Sequence, residues 1–176
     1  AELANLIGNI NMGGGGVNRN VVINGNMTIA ERATSATGLG GNADSYHTVD
    51  RFKLLAEGSN SGRLTMTQDS SAPVGFANSL KLACTTADTS IAAAELLTLS
   101  QMIEGQNLQH FAKGTSSAKP YAVSFYVKGN ASATYVCELF DNSNSRHVCK
   151  TFSVTTDFTR VELSFPADTT GTISDN

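Results

Sequence analysis

The chain has no tryptophan, and among its 176 residues only three prolines and three cysteines; charged residues make up 15% and aromatic ones 7%. Each scarcity excludes something. Three histidines far apart in sequence (His47, His110, His147) and cysteines without a C-x-x-C spacing leave no metal-ligand pattern. Twelve basic against fifteen acidic residues give a net charge of −3. With no basic cluster, nucleic acid is a poor partner, because phosphate binding needs grouped Lys and Arg. No apolar run approaches the roughly 18 residues of a membrane span. There is no G-x-S-x-G and no Ser–His–Asp spacing, and the acids are scattered, so no catalytic residue and no cofactor is predicted. The glycines at 13–16 form an unbroken run, but no strand leads in and no Lys-Ser/Thr follows. They read as a linker and not as a phosphate cradle.

What remains is 40% hydrophobic content in short patterned runs, with sixteen glycines and many Ser, Thr and Asn residues. That is the composition of an all-β protein with many turns. The clearest run is 121–128 (YAVSFYVK). Tyr121, Val123, Phe125 and Val127 share one parity, and Ala122, Ser124, Tyr126 and Lys128 share the other. A two-residue period places these sets on opposite faces of a strand, read here as the central strand of a sandwich. Similar alternation predicts strands over 51–56, 63–67, 79–84, 96–104 and 160–165. Two short β runs are expected around Asn24-Gly25-Asn26, a strong turn signal. Residues 31–50 read as loop. The expected fold is an antiparallel β-sandwich over 17–176, preceded by a short extension over 1–16. A turn-like DTTG at 168–171 shortly before the last residue leads us to expect further sequence beyond it.

Residues 133–140 and 147–154 flank a loop of turn formers and predict a hairpin. Closed on Ser143, it would set Cys137 opposite Cys149 on one face. That arrangement allows a disulfide with favourable pairing, and equally two reduced small side chains, the preferred reading for a protein made in a cytosol. Cys84 falls on the inward parity of its strand and reads as core. Asp141, Asn142 and Asn144 have oxygens of the kind calcium takes, but turn formation accounts for them. Tyr46 and His47, in the long polar loop, and Tyr126 are the candidate ligand-binding residues. Leu3, Leu6, Ile7 and Ile10 have near-helical spacing and need apolar cover. They are the candidate assembly interface.

Five stretches carry a family resemblance: 17–33 (VNRNVVINGNMTIAERA), 46–52 (YHTVDRF), 75–86 (GFANSLKLACTT), 99–105 (LSQMIEG) and 121–128. In order and spacing they resemble the C-terminal β domains of tailed-phage virion proteins, of the tail-fibre or structural kind found in marine and cyanobacterial phages. The resemblance implies a jelly-roll sandwich similar to carbohydrate-binding modules, at the outer part of a trimeric fibre. It implies a virion location after assembly in the host cytoplasm. The implied partners are the chain itself, other virion proteins and a host-surface glycan, without membrane insertion. Relatives of this kind often carry Trp where this chain has Phe52 and Tyr126. A purely architectural capsid decoration or head fibre protein, and the carbohydrate-binding module of a secreted enzyme, are the alternative expectations.

Overall fold

The structure, a computed structural model, describes residues 20–173. Within them the fold is all-β, with ten antiparallel strands and two short 3-10 turns. The chain divides into two compact units, 22–102 and the part from Ile103 onward.

The first unit contains β1 (Ser35–Leu39), β2 (Asp44–Ser45), β3 (Lys53–Glu57), β4 (Arg63–Asp69), β5 (Ser79–Thr86) and β6 (Leu96–Ser100). They form two three-stranded sheets, β1-β4-β5 and β2-β3-β6. The chain crosses from one sheet to the other after β1, β3 and β5. The alternation within each strand explains the packing. Leu54 and Ala56 on β3 face inward, as do Met66 on β4 and Leu39 on β1. Phe52, Leu64 and Leu80 close around that cluster. Leu54 and Met66 retain no exposed surface. Burial of each contributes about 2–3 kcal/mol. Between Ala36 and Leu39 the β1–β4 register slips, and Gly38 sits there at φ +70. A residue in the left-handed region is what such a bulge requires.

The second unit contains β7 (Tyr121–Val127), β8 (Ala133–Asp141), β9 (Arg146–Val154) and β10 (Thr159–Phe165). β7 pairs with β10 and β8 with β9, giving a pair of two-stranded sheets. The Phe125 ring meets the Phe152 ring edge-on at 5.0 Å, so the inward parity of β7 packs on the β8–β9 hairpin. Val154 and Phe165 are buried here. β7 therefore keeps its expected faces but is not a central strand, since β10 is its only ladder partner among the described residues.

Three other expectations are corrected. β1 and β2 lie in 31–50, which reads as loop because only Leu39 in those strands is buried. No strand forms over 20–34, although the turn at 23–26 is present. The segment is an extended strap whose backbone groups go to side chains instead of a ladder. Asn24 does most of this. Its Nδ2 donates to the carbonyls of Ile29 and Asp50, both at 2.9 Å, and its Oδ1 accepts the Ile29 N–H at 3.0 Å. Gln101 exchanges two bonds of 2.8 Å with the Ile23 backbone. Gln68 Nε2 donates to the carbonyls of Met27 and Thr28 at 2.7 and 3.0 Å. The third correction concerns Cys84, which is exposed; its thiol donates to the Thr86 carbonyl at 3.3 Å.

Because Asn24 satisfies three backbone groups at once, Asn24→Ala should lower stability by about 2 kcal/mol, the net value of a few such bonds. Urea denaturation measures this. A loss below about 0.5 kcal/mol would show that the strap is held by something else.

Candidate functional site

The outer face of the β7–β10 sheet is built by register. Tyr126 lies opposite Arg160, Ser124 opposite Glu162, and Ala122 opposite Ser164. All six are on the exposed parity. Tyr126 is 45% exposed, and Arg160 Nη1 meets Glu162 Oε1 at 2.6 Å across its flank. This combination of an exposed ring, a guanidinium–carboxylate pair and small hydroxyls on one sheet face can stack a sugar ring and hydrogen-bond its hydroxyls.

Tyr46 and His47 are placed differently. The Arg32 guanidinium lies 5.5 Å over the Tyr46 ring, and Asp50 holds Arg32 at 2.9 Å. Tyr46 is thus one layer of a stack formed with the strap, not an open platform. His47 Nε2 and Thr48 Oγ1 are buried and have no hydrogen-bond partner among the described residues. Tyr46 and His47 belong to the first unit and Tyr126 to the second. Leu3, Leu6, Ile7 and Ile10 lie outside the described residues.

The first unit also has a half-open cleft of about 290 Å³. Leu64, Ile91, Leu96 and Leu97 supply its apolar lining, and Arg63, Asp88 and Glu95 its charges. Arg63 and Asp88 are engaged by loop backbone. Arg63 Nη1 donates to the carbonyls of Asn60 and Gly62 at 3.1 and 2.7 Å. Asp88 accepts the N–H groups of Ser90 and Ser61 at 2.9 and 2.8 Å, which hold its carboxyl below the usual range. These charges shape the loops that border the cleft.

The hairpin register separates the two cysteines. Cys137 lies opposite Lys150, and Cys149 opposite Glu138. Neighbouring residues on a strand face opposite ways, so the two thiols are on different faces and all three cysteines are free. The turn closes one half-residue later than a centre on Ser143, and that slip flips one thiol to the other side. Among the described residues no group of three or more His, Cys, Asp or Glu side chains can hold a metal.

Comparison with family models, with curated proteins and with solved structures gives no match to this chain.

The densest charged cluster was not legible in the sequence, because its members come from three separated stretches. Lys113 Nζ lies 2.6 Å from Asp141 Oδ2 and 3.4 Å from Asp168 Oδ2. It also donates to the carbonyls of Gly171 and Thr170 at 2.7 and 3.1 Å. Arg146 donates from Nε and Nη2 to the two oxygens of Asp168 at 3.1 and 3.0 Å. The Arg146 hydrogen bond, with the Thr170 N–H, takes the Asp168 carboxyl down to about 2. Burial pushes Asp141 up, but its bonds from Lys113 and Asn144 outweigh that and bring it below the ordinary value of 3.8. Beside them burial raises the Tyr121 phenol, with Asp168 and Asp141 adding to the shift.

Both carboxyls bind protons less readily in the folded chain than in the unfolded one. They stabilise the fold above pH 3.8, and that contribution disappears as the pH falls towards about 2. Acid titration followed by circular dichroism should show a transition in this window, and Asp168→Asn should make it shallower. An unchanged transition in that variant would remove the cluster from the acid response.

Proposed function

We propose that the chain is a non-enzymatic β domain of a phage virion appendage, with a jelly-roll winding, and that it binds a host-surface glycan on the outer face of β7–β10. The observation that carries this reading is the Tyr126 ring, exposed on the outer strand face beside the Arg160–Glu162 pair. Sugar recognition needs a flat apolar surface framed by donors and acceptors in fixed positions, and a two-stranded register fixes them. The strand path of the first unit supports the winding, since the chain alternates between two facing sheets.

The interlocking of the resembling stretches also supports the reading. Asn24 of the first stretch bonds Asp50 of the second, and Gln101 of the fourth bonds Ile23 of the first. Their order and spacing thus correspond to one physical assembly. The same fact favours the second reading, a purely architectural virion protein, because these residues are structural ties and not ligand groups. Under either reading the chain is a homotrimer located on the virion. Leu3, Leu6, Ile7 and Ile10 form the assembly seam, and other virion proteins are its neighbours.

A glycan array probed with the whole chain separates the two readings. Glycan recognition predicts hits that weaken about tenfold or more in Tyr126→Ala, a change equal to roughly 1.4 kcal/mol. An array without hits favours the architectural role. Mass photometry of the intact chain should give a trimer, and removal of the first sixteen residues should give a monomer. Equal masses would take assembly away from that segment.

A further inference from the structure

Lys113, Asp141 and Asn144 meet at a single carboxylate oxygen. Lys113 Nζ is 2.6 Å from Asp141 Oδ2, and Asn144 donates its Nδ2 to the same oxygen at 2.7 Å. The Lys113 side chain is only 8% exposed, and that of Asp141 15%. The asparagine and the lysine also converge on one peptide unit. A Cβ built on Gly171 would stand 2.7 Å from Asn144 Cγ, and Lys113 Nζ donates to the Gly171 carbonyl at 2.7 Å. The backbone holds the lysine tightly. Ala112 and Gly114, on either side, are at φ +50 and +80, and Gly114 N–H donates to the Asp168 carbonyl at 2.9 Å. A Cβ at Gly114 would meet the Gly171–Thr172 peptide at 2.7 Å. The left-handed Ala112 and the close backbone approach at Gly114 fix the path of the lysine between them.

We propose that Lys113 and Asn144 become joined by an intramolecular isopeptide bond, with Asp141 as the proton carrier. Lys113 gives one proton to Asp141 Oδ2, an uphill transfer because the same contact holds that carboxyl ionised, and this makes the reaction slow. The carbonyls of Gly171 and Thr170 accept the two N–H groups that remain, so the freed lone pair is left on the side of Asp141 Oδ2, the oxygen that Asn144 also bonds. The pair attacks Asn144 Cγ, and the Nζ–Cγ bond forms. The Cγ–Nδ2 bond then breaks, and Asp141 delivers its proton to Nδ2, which leaves as ammonia. The second proton lost from Nζ converts this to ammonium. One ammonium and one carboxamide have become a secondary amide and an ammonium ion, with no change of oxidation state. Holding the lysine nitrogen and the asparagine amide on one carboxylate oxygen, which is also the proton carrier, is what makes a slow amide exchange feasible. Asp168 is a poorer acyl partner. It lies further from Nζ, and Arg146 binds both its oxygens. The bond would tie the segment after the 3-10 turns to the β8–β9 turn, whatever the outer face of β7–β10 binds.

Intact-mass spectrometry of the purified folded chain tests this directly. The expected mass is lower than that of the sequence by one ammonia. Tryptic digestion should leave Lys113 uncut, in a branched peptide joined to the one containing Asn144. Asp141→Ala and Lys113→Arg, each checked for folding by circular dichroism, should show no deficit. A chain at full sequence mass overturns the proposal. So does a deficit of one water, which would indicate a Lys–Asp bond. An ammonia deficit confined to unbranched peptides also overturns it, because that is a succinimide. A deficit that persists in Asp141→Ala overturns the assigned proton carrier.

Discussion

Asn24 and Asp50 together hold the edge of the first unit in place. The strap from 22 to 34 has no ladder to satisfy its backbone, so each of its polar groups needs another partner. Asn24 supplies three such bonds, and the Asp50 backbone and carboxylate connect the strap to the start of β3. The Asp50 N–H completes the arrangement by donating to the Ile29 carbonyl at 2.9 Å. Two consequences follow. Arg32, drawn in by Asp50, covers Tyr46. Thr48 and Val49, between that stack and β3, are carried into the interior. A loop rich in small polar residues thereby acquires a defined path without much apolar burial.

The second unit solves the same problem with charge. Its C-terminal segment after β10 makes no strand among the described residues, yet it is fixed by Lys113 and Arg146 on Asp168 and by Asn144 on the Thr172 carbonyl. A largely buried ion pair is weak evidence for stability by itself, since desolvation opposes the attraction. Here the ammonium meets two backbone carbonyls as well as the carboxylates, so its hydrogen-bonding capacity is filled. The result is a specific junction between three stretches of chain, and the isopeptide proposal arises from its geometry. The recognition face proposed on β7–β10 depends on none of these groups. It is an ordinary cross-strand surface, set by the pairing of Tyr126 with Arg160.

Alternation was a dependable guide wherever one face of a strand is covered. The strands over 53–57, 63–69, 121–127 and 159–165 follow it, and the parity of β7 correctly separated Tyr126 from Phe125. It failed where little is buried. β1 contributes only Leu39 to the core, so its Ser, Ala, Thr and Gly residues look like loop. The strap looked like paired strands because its valines and isoleucines have high β propensity, but several of them remain exposed. Cys84 has the inward parity of its strand and is nonetheless exposed, near the slip in the β4–β5 register between Arg63 and Leu64.

The candidate site was half legible. The outward placement of Tyr126 follows from parity alone, whereas nothing in the chain announces that Arg32 is the group that covers Tyr46. By itself the sequence determined the β class, the strand faces and the main turns, because these depend on residues close together in the chain. Only the tertiary structure decided the cysteine separation, the covering of Tyr46 and the meeting of Lys113 with Asp141, Asn144 and Asp168. Those depend on a one-residue register and on contacts between distant stretches, and side-chain periodicity carries no record of either.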